Sequence, residues 1–372
     1  MSKSRRKSSY ILDQMDWDTR LEYCYTAIYY VYGINLPPNV TEANLVDDAS
    51  TDLNVLLTSN VDDSCFIIDR HTAINNMKLN QFFGTTNYES FESGLAHEMS
   101  KIREERRRKI GDAPILVFSA SDTMGANPRN LEYESEDYAV YNGAIPKNFI
   151  VDDYKDDINA VLASIFLSRN SQVWFEKYNE DVYLTQANGK IIYSHTTYST
   201  VKAHVSSPIT TEQLNVISTY LRSHKRNNSW RSLFKFLMLA NDRHNSALHT
   251  FLFAWAAMEI FVKKHFREYE NQFYINLFRN MGNPENIARD YLERHREMAK
   301  NNHGLIDKFT FICSVLCPAE ANNDLSDFKK INKARNSLFH GDDFQIDSLP
   351  SQQLLRLTKK YVRLHVSAKN SS

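Results

Sequence analysis

The chain has 372 residues, 42% of them apolar and 12% aromatic, which is enough for sizeable hydrophobic cores and excludes an intrinsically disordered protein. A chain of this length exceeds what one core usually organises, so two domains are expected. The four cysteines are too few and too scattered for a disulfide framework, and no run reaches the roughly 18 apolar residues of a membrane span. We therefore expect a soluble, cytoplasmic protein with no membrane partner.

The formal net charge of −1 conceals an asymmetry between the two halves of the chain. From residue 213 onward there are 24 Lys and Arg against 15 Asp and Glu, whereas the preceding residues hold 20 against 30. A basic half beside an acidic one indicates that the C-terminal part contacts a polyanion such as a nucleic acid. An ordinary helical surface rich in Lys and Arg explains the same charges and stays the alternative.

The N-terminal half combines helical and strand-like patterns. Residues 1–10, MSKSRRKSSY, predict a disordered basic tail rather than a signal peptide, because no apolar stretch follows them. Residues 11–208 show no strict βαβ alternation, which favours an α+β domain of unknown role. Our hypothesis for this domain is a sensor or specificity role. Two β-rich arms around Asn188-Gly189 predict a hairpin over 181–198. Helices are predicted over 13–33, 88–111 and 154–170, and strands over 53–57, 65–69, 114–120 and 173–176.

A seam at residues 206–213, SSPITTEQ, separates this half from a helical one. Pro208 ends the preceding pattern, and Thr210 or Thr211 can cap the helix that follows. From 209 to 368 the connections are short and marked by Gly and Pro, which predicts an all-α bundle. The predicted helices cover 212–224, 232–242, 243–270, 273–281, 285–299, 304–317, 326–340 and 351–366.

Several common sites have no counterpart in the sequence. It contains no GxxxxGK[ST] or GxGxxG phosphate loop and no GxSxG nucleophile elbow. His97-Glu98 begins like a zincin helix, but Lys101 stands where the second histidine is needed. The basic run 101–110, KIREERRRKI, could bind the phosphate backbone of a nucleic acid, although such runs are more often the solvated face of a helix. We therefore expect neither a cofactor nor a metal.

The stretch KARNSLFHGDDF, residues 333–344, places a charged residue where an apolar one is expected. At about 100° per residue, Arg335 falls in the centre of an apolar stripe on a predicted helix. The stripe consists of Leu325, Phe328, Ile331, Leu338 and Phe339. A guanidinium directed into a core needs an anionic partner or an opening onto a polar cleft, because burying it unpaired is costly.

Two further ionisable residues accompany Arg335. His340 precedes Gly341, a predicted helix stop, and the negative end of the helix dipole favours its imidazolium form. Such a ring titrates near neutral pH, as a general acid or base requires. Glu259 is the one charged residue in the apolar run 250–262, TFLFAWAAMEIFV, and is the expected partner of Arg335. A purely structural Glu–Arg pair between two helices is the alternative.

These residues resemble those of a known family. ARNSLFHG resembles the Arg-Asn-x-x-x-His-Gly signature of the HEPN superfamily, and AWAAMEIFVKK resembles the Ala/Trp-rich helix with a central Glu in its Apea-like branch. The resemblance covers residues 215–366. It implies a four- to five-helix bundle that pairs as a homodimer, so that two motifs face each other.

The resemblance also implies an activity: a metal-independent endoribonuclease of a toxin or antiphage-defence system, with RNA as its partner. Arg335, His340 and Asn336 would be catalytic and Glu259 supporting, with the RNA 2′-hydroxyl as nucleophile. Because a fold does not determine function, two alternatives stay open. One is a module that binds RNA or nucleotide without cutting it, and the other is a structural interaction domain.

Overall fold

The computed structural model shows an antiparallel sheet region with helices, followed by a mostly helical C-terminal part, which confirms the predicted fold class. The chain divides into two compact units, Met1–Val161 with Arg169–Ser218 and Leu162–Ser168 with Thr219–Ser372. The predicted tail 1–10 lies outside the described residues. The structure describes residues 19–37, 40–45, 53–86, 88–110, 113–126, 131–135, 138–141, 147–169, 173–185, 191–192, 197–198, 207–208, 210, 213, 216–221, 228–282, 284–299, 303–340 and 345–370.

The first unit contains a large sheet with the strand order β3-β4-β5-β1-β8-β9-β7-β6, and β10 pairs with β8. Its long central strand β1 lies antiparallel to both β5 and β8. The strands are β1 (Thr19–Tyr32), β2 (Ile34–Asn35), β3 (Glu42–Asn44), β4 (Asn54–Thr58), β5 (Ile115–Ala126), β6 (Leu131–Ser135), β7 (Tyr138–Tyr141), β8 (Trp174–Thr185), β9 (Ile191–Ile192), β10 (Thr197–Tyr198) and β11 (Ser207–Pro208). The helices associated with them are α1 (Val61–Ser64), α2 (Phe66–Phe82), α3 (Phe91–Ile110) and α4 (Lys147–Ser168), of which Leu162–Ser168 belongs to the second unit.

The predicted helix over 13–33 is wrong where the structure describes it, because Thr19–Tyr32 forms the central strand β1. Residues on both faces of this strand are buried, including Tyr25, Ile28, Tyr30 and Val31. Burial on both faces removes the alternation that identifies a strand, and a continuous apolar run then resembles a buried helix. The high content of Tyr, Ile, Val and Thr was the available signal for a strand.

The predicted strand over 65–69 is also wrong, because this run is the first part of helix α2. Short apolar runs do not distinguish a strand from a helix that packs against a core. Cys65 precedes the helix and is fully buried in a cluster with Ile28, Tyr30 and Ile115 of the sheet. Tertiary packing therefore decides the conformation of this segment.

Other predicted features of this half are confirmed. Leu184 pairs with Ile192 and Thr185 with Ile191 in antiparallel register, as the predicted hairpin requires, while its Asn188-Gly189 turn lies outside the described residues. At the seam, the Gln213 backbone N–H donates to Thr210 Oγ1 at 3.3 Å. The Thr210 N–H donates to Gln213 Oε1 at 3.1 Å, which completes a reciprocal capping pair.

The second unit is built around one long helix, α6, into which the predicted helices 243–270 and 273–281 merge. Ser246 caps it by accepting a hydrogen bond from the His249 backbone N–H at 3.3 Å. Residues 219–221 of this unit are helical, and its other helices are α5 (Asn228–Asn241), α6 (Ala247–Asn280), α7 (Glu285–Ala299), α8 (Leu305–Leu316), α9 (Ala321–His340) and α10 (Ser351–Asn370). Among the described helices, none is both long and apolar enough to cross a membrane.

An aromatic core joins four of these helices. The Phe309 ring centroid lies 4.4 Å from that of Phe328 and 4.9 Å from that of Tyr361, and all three side chains are fully buried. Trp255 stacks on Phe328 with centroids 5.9 Å apart. The Tyr361 hydroxyl donates to Asp324 Oδ2 at 2.6 Å, so its polar end has a partner. This core anchors α9, the helix that carries Arg335 and His340.

Candidate active site

Arg335 lies on the apolar stripe of α9, as its spacing predicts. Phe328 and Ile331 of the same stripe are fully buried, whereas Arg335 is half-buried. Its guanidinium carbon lies 4.6 Å from the Phe339 ring centroid and 5.8 Å from that of Trp255 on α6. Both distances are typical of cation–π contacts. Two aromatic rings therefore hold a positive charge at the edge of the core.

The guanidinium is only partly satisfied by hydrogen bonds within the described part of the chain. Arg335 Nη1 donates to Asn336 Oδ1 at 3.1 Å. Its Nε is buried and has no hydrogen-bond partner there. No described carboxylate lies within ion-pair distance of it, so its charge remains available to an external anion such as a phosphate.

The expected contact between Glu259 and Arg335 is not formed. Glu259 Oε1 lies 2.6 Å from Lys263 Nζ, and Trp255 Nε1 donates to Glu259 Oε2 at 3.1 Å. Both partners lie one turn away on α6, within easy reach along a helix. The Trp255 ring, rather than the Glu259 carboxylate, faces the Arg335 guanidinium. Glu259 thus contacts Trp255 and Lys263 rather than Arg335.

His340 is the last residue of α9, and its side chain is exposed. The five-residue spacing from Arg335 corresponds to about 140° around an ideal helix, so the two side chains do not lie one above the other. The next residue, the predicted stop Gly341, lies outside the described residues. Arg335, Asn336 and His340 therefore share the last two turns of one helix, with the guanidinium half-buried and the imidazole open to solvent.

The contacts of Arg335 with the rings of Trp255 and Phe339 were not predicted from the sequence. Phe339 is four residues after Arg335, the spacing at which side chains meet on a helix, and its side chain is 58% exposed. Trp255 is four residues before Glu259, so its contact with Glu259 was foreseeable. Its contact with Arg335 joins two helices distant in sequence and needed the tertiary structure.

The basic run 101–110 on α3 makes structural ion pairs. Arg106 is buried and pairs with the fully buried Asp69 of α2, and its Nη1 lies 3.6 Å from Asp62 Oδ1. Arg107 also pairs with Asp62. These cations are already neutralised by neighbouring carboxylates, which favours the structural interpretation over a phosphate-binding helix.

A second pair of titratable groups lies in the interior of the helical unit. The rings of His265 and His365 are both buried, with centroids 4.0 Å apart. The Tyr269 hydroxyl lies 2.5 Å from His365 Nδ1. Burial, together with the neighbouring His365, lowers the pKa of His265 to about 3, and burial lowers the pKa of His365 to about 4. Both imidazoles are therefore neutral in the folded protein.

These lowered pKa values predict that acid destabilises the fold. In the unfolded chain, His265 and His365 take up a proton near pH 6.5, whereas in the folded chain both stay neutral until the pH approaches 4. The free energy of unfolding therefore falls as the pH drops below 6.5. Between pH 7.5 and 5.0 the loss should be on the order of 2 kcal/mol per histidine. Urea unfolding of His265→Phe should show a smaller loss than wild type. The exposed control His249→Phe should lose as much as wild type, and an equal loss in all three proteins would contradict the prediction.

A scan against protein-family models, a search of the curated proteins and a search of the solved structures each found no match to this chain.

Proposed function

We propose that this chain is a metal-independent endoribonuclease of the HEPN type, acting in the cytoplasm as a toxin-like or antiphage-defence effector. The observation that carries the proposal is the Arg335 guanidinium, half-buried between two aromatic rings without a described carboxylate partner. It lies five residues before an exposed histidine at a helix end, in the basic half of the chain. The resemblance of ARNSLFHG to the HEPN signature supports the same assignment.

The chemistry follows from the residue types. The RNA 2′-oxygen attacks the adjacent phosphorus, the bond from phosphorus to the 5′-oxygen breaks, and the products end in a 2′,3′-cyclic phosphate and a 5′-hydroxyl. His340 removes the proton from the 2′-hydroxyl or delivers one to the leaving 5′-oxygen. Arg335 contacts the phosphate and stabilises the charge that develops in the transition state. Asn336 orients the guanidinium through the bond from Arg335 Nη1. The acidic N-terminal half would restrain or direct this nuclease.

The test of this proposal is cleavage of tRNA and mixed RNA by the purified protein, with and without EDTA. Cleavage should persist in EDTA and leave 2′,3′-cyclic phosphate ends. A matched oligonucleotide with 2′-O-methyl groups should resist cleavage, because its nucleophile is blocked. Binding of both oligonucleotides with no cleavage of either would instead support the RNA-binding module, and cleavage lost with EDTA while the fold persists would refute metal independence.

The working unit of this proposal is a homodimer paired through the helical half. In-line displacement needs a base on one side of the phosphorus and an acid on the other, and a single His340 cannot serve both at once. Two-fold pairing brings two copies together, and the exposed ring of Phe339 beside His340 offers apolar surface for it.

We expect the wild-type protein to sediment as a dimer at the concentrations at which it cleaves RNA. Mixing His340→Ala with Arg335→Ala protein should restore activity only to a level well below that of wild type, because a heterodimer contains one intact Arg335 and one intact His340 but lacks the second histidine. Each variant must first be shown to be dimeric and to exchange subunits. A cleaving monomer would refute the composite site.

A further inference from the structure

Three side chains with metal-ligating atoms converge in the helical unit, away from Arg335. They are Glu270 of α6, His295 of α7 and His303, two residues before α8. Their ligand atoms all lie within 4.8 Å of one another, and His303 Nε2 lies 3.2 Å from Glu270 Oε1. Glu270 is fully buried, and His303 is 14% exposed. Two imidazoles and a carboxylate are a frequent ligand set for zinc.

Three atoms of this group form no hydrogen bond to a described residue that meets the usual distance and angle limits. Glu270 Oε1, His295 Nδ1 and His303 Nε2 are all buried and form no hydrogen bond with the described part of the chain. A buried carboxylate oxygen without a hydrogen-bond partner is costly, so each such atom in a native protein requires an explanation. An ion bound by all three atoms would satisfy them at once.

Two other groups of possible metal ligands occur among the described residues, and they differ in that several of their ligand atoms have close partners. In the group His265, Glu268 and His365, the Tyr269 hydroxyl contacts His365 Nδ1 at 2.5 Å, and Lys369 Nζ lies 2.5 Å from Glu268 Oε1. In the group Cys317, Glu320 and Asp324, Lys360 Nζ lies 2.5 Å from a carboxylate oxygen of each acid. The two carboxylates of the second group, and the carboxylate and one imidazole of the first, already have close partners, so these groups resemble ordinary buried or surface networks.

The other oxygen of Glu270 is held in a way that orients the first. Arg296 donates to Glu270 Oε2 from both Nε, at 2.9 Å, and Nη2, at 2.6 Å. Arg296 Nη2 also donates to Asn271 Oδ1 at 2.6 Å. This double contact leaves Oε1 directed at the two imidazoles. Ligating carboxylates in metal sites are commonly positioned by such outer partners.

We propose that Glu270 Oε1, His295 Nδ1 and His303 Nε2 bind one divalent transition-metal ion of the zinc class. Ligand atoms about 2.0–2.1 Å from a tetrahedral ion lie about 3.3 Å from one another, close to the 3.2 Å between Glu270 and His303. Small side-chain movements bring His295 to the same distance. Water takes the fourth position. The ion joins α6, α7 and the start of α8 and stabilises the bundle, separately from the Arg335–His340 chemistry.

The test uses the full chain without an affinity tag, stripped with a chelator, dialysed and then exposed to zinc sulfate. Elemental analysis after gel filtration should find about one zinc per chain, and the thermal midpoint should rise with zinc but not with magnesium, which disfavours imidazole ligands. His295→Gln and His303→Gln should each weaken zinc binding at least tenfold. The control His249→Gln replaces an exposed histidine on α6, the helix that carries Glu270, and should bind zinc as wild type does.

Circular dichroism establishes that each variant is folded. Cobalt binding to the wild-type chain gives a readout independent of the variants, since four-coordinate cobalt absorbs visible light much more strongly than six-coordinate cobalt. Strong absorption that zinc displaces supports the site. A wild-type chain that retains no zinc, or folded His295→Gln and His303→Gln variants that both retain it fully, would overturn the proposal.

Discussion

Replacement of His340 by alanine is expected to reduce RNA cleavage by about 10²- to 10⁴-fold, the usual contribution of a general acid or base. The thermal midpoint should stay nearly unchanged, because the His340 side chain is exposed at the end of α9 and surface substitutions of this kind alter stability little. Cleavage of a labelled RNA under single-turnover conditions measures the rate of the chemical step. Thermal unfolding of the same preparation measures stability.

The matched control for this variant is His249→Ala, which removes an exposed histidine from the N-terminal end of α6. Its cleavage rate and thermal midpoint should both equal those of wild type. Full activity in His340→Ala would remove this histidine from the mechanism. A lower midpoint in His340→Ala but not in the control would show that the loss of activity includes a loss of structure.

Replacement of Arg335 by alanine is expected to lower cleavage by about 10²- to 10³-fold, comparable to removing one donor that stabilises transition-state charge. The protein should remain folded, since no described carboxylate loses an ion-pair partner when Arg335 is removed. Loss of the contacts with Trp255 and Phe339 should cost about 1–2 kcal/mol. Arg335→Lys should recover only part of the activity, because an ammonium keeps the charge without the planar fork of N–H donors.

The variant Glu259→Gln distinguishes a catalytic role of Arg335 from a structural ion pair between Arg335 and Glu259. The Glu259–Lys263 pair is partly exposed, with the Lys263 side chain 60% accessible, so its loss should change stability little. If Arg335→Ala unfolds the protein and Glu259→Gln restores the fold, the two residues form a structural pair after all. A folded and fully active Arg335→Ala protein would exclude both interpretations.

The spacing of apolar residues predicted the helical half well, because each helix there has one buried face and ends near Gly, Pro or a capping residue. The same reasoning failed for β1, whose residues are buried on both faces and show no alternation. The periodicity of apolar residues thus identified the elements that contact solvent on one side. It gave the wrong secondary structure for the strand that is buried on both faces.

For the site, the sequence indicated that Arg335 lies in an apolar stripe, and the structure places it there. The sequence did not indicate what surrounds the guanidinium, because the Trp255 ring contacts it from a helix eighty residues earlier in the chain. The group of Glu270, His295 and His303 was missed for the same reason. Its members come from two helices and the segment before a third, with no short motif to connect them.

The side chains of α9 become more exposed toward its C-terminal end, which should make that end open more readily than the rest of the helix. Phe328 and Ile331 are fully buried in the aromatic core, whereas Phe339 and His340 at the other end are exposed. Helix ends with few buried contacts open locally at far lower free energy than the fold as a whole. Amide protons near His340 should therefore exchange faster than those near Phe328. The geometry of Arg335, Asn336 and His340 then depends on how long the last turn stays closed, and moderate heat or denaturant would disassemble it while the core persists.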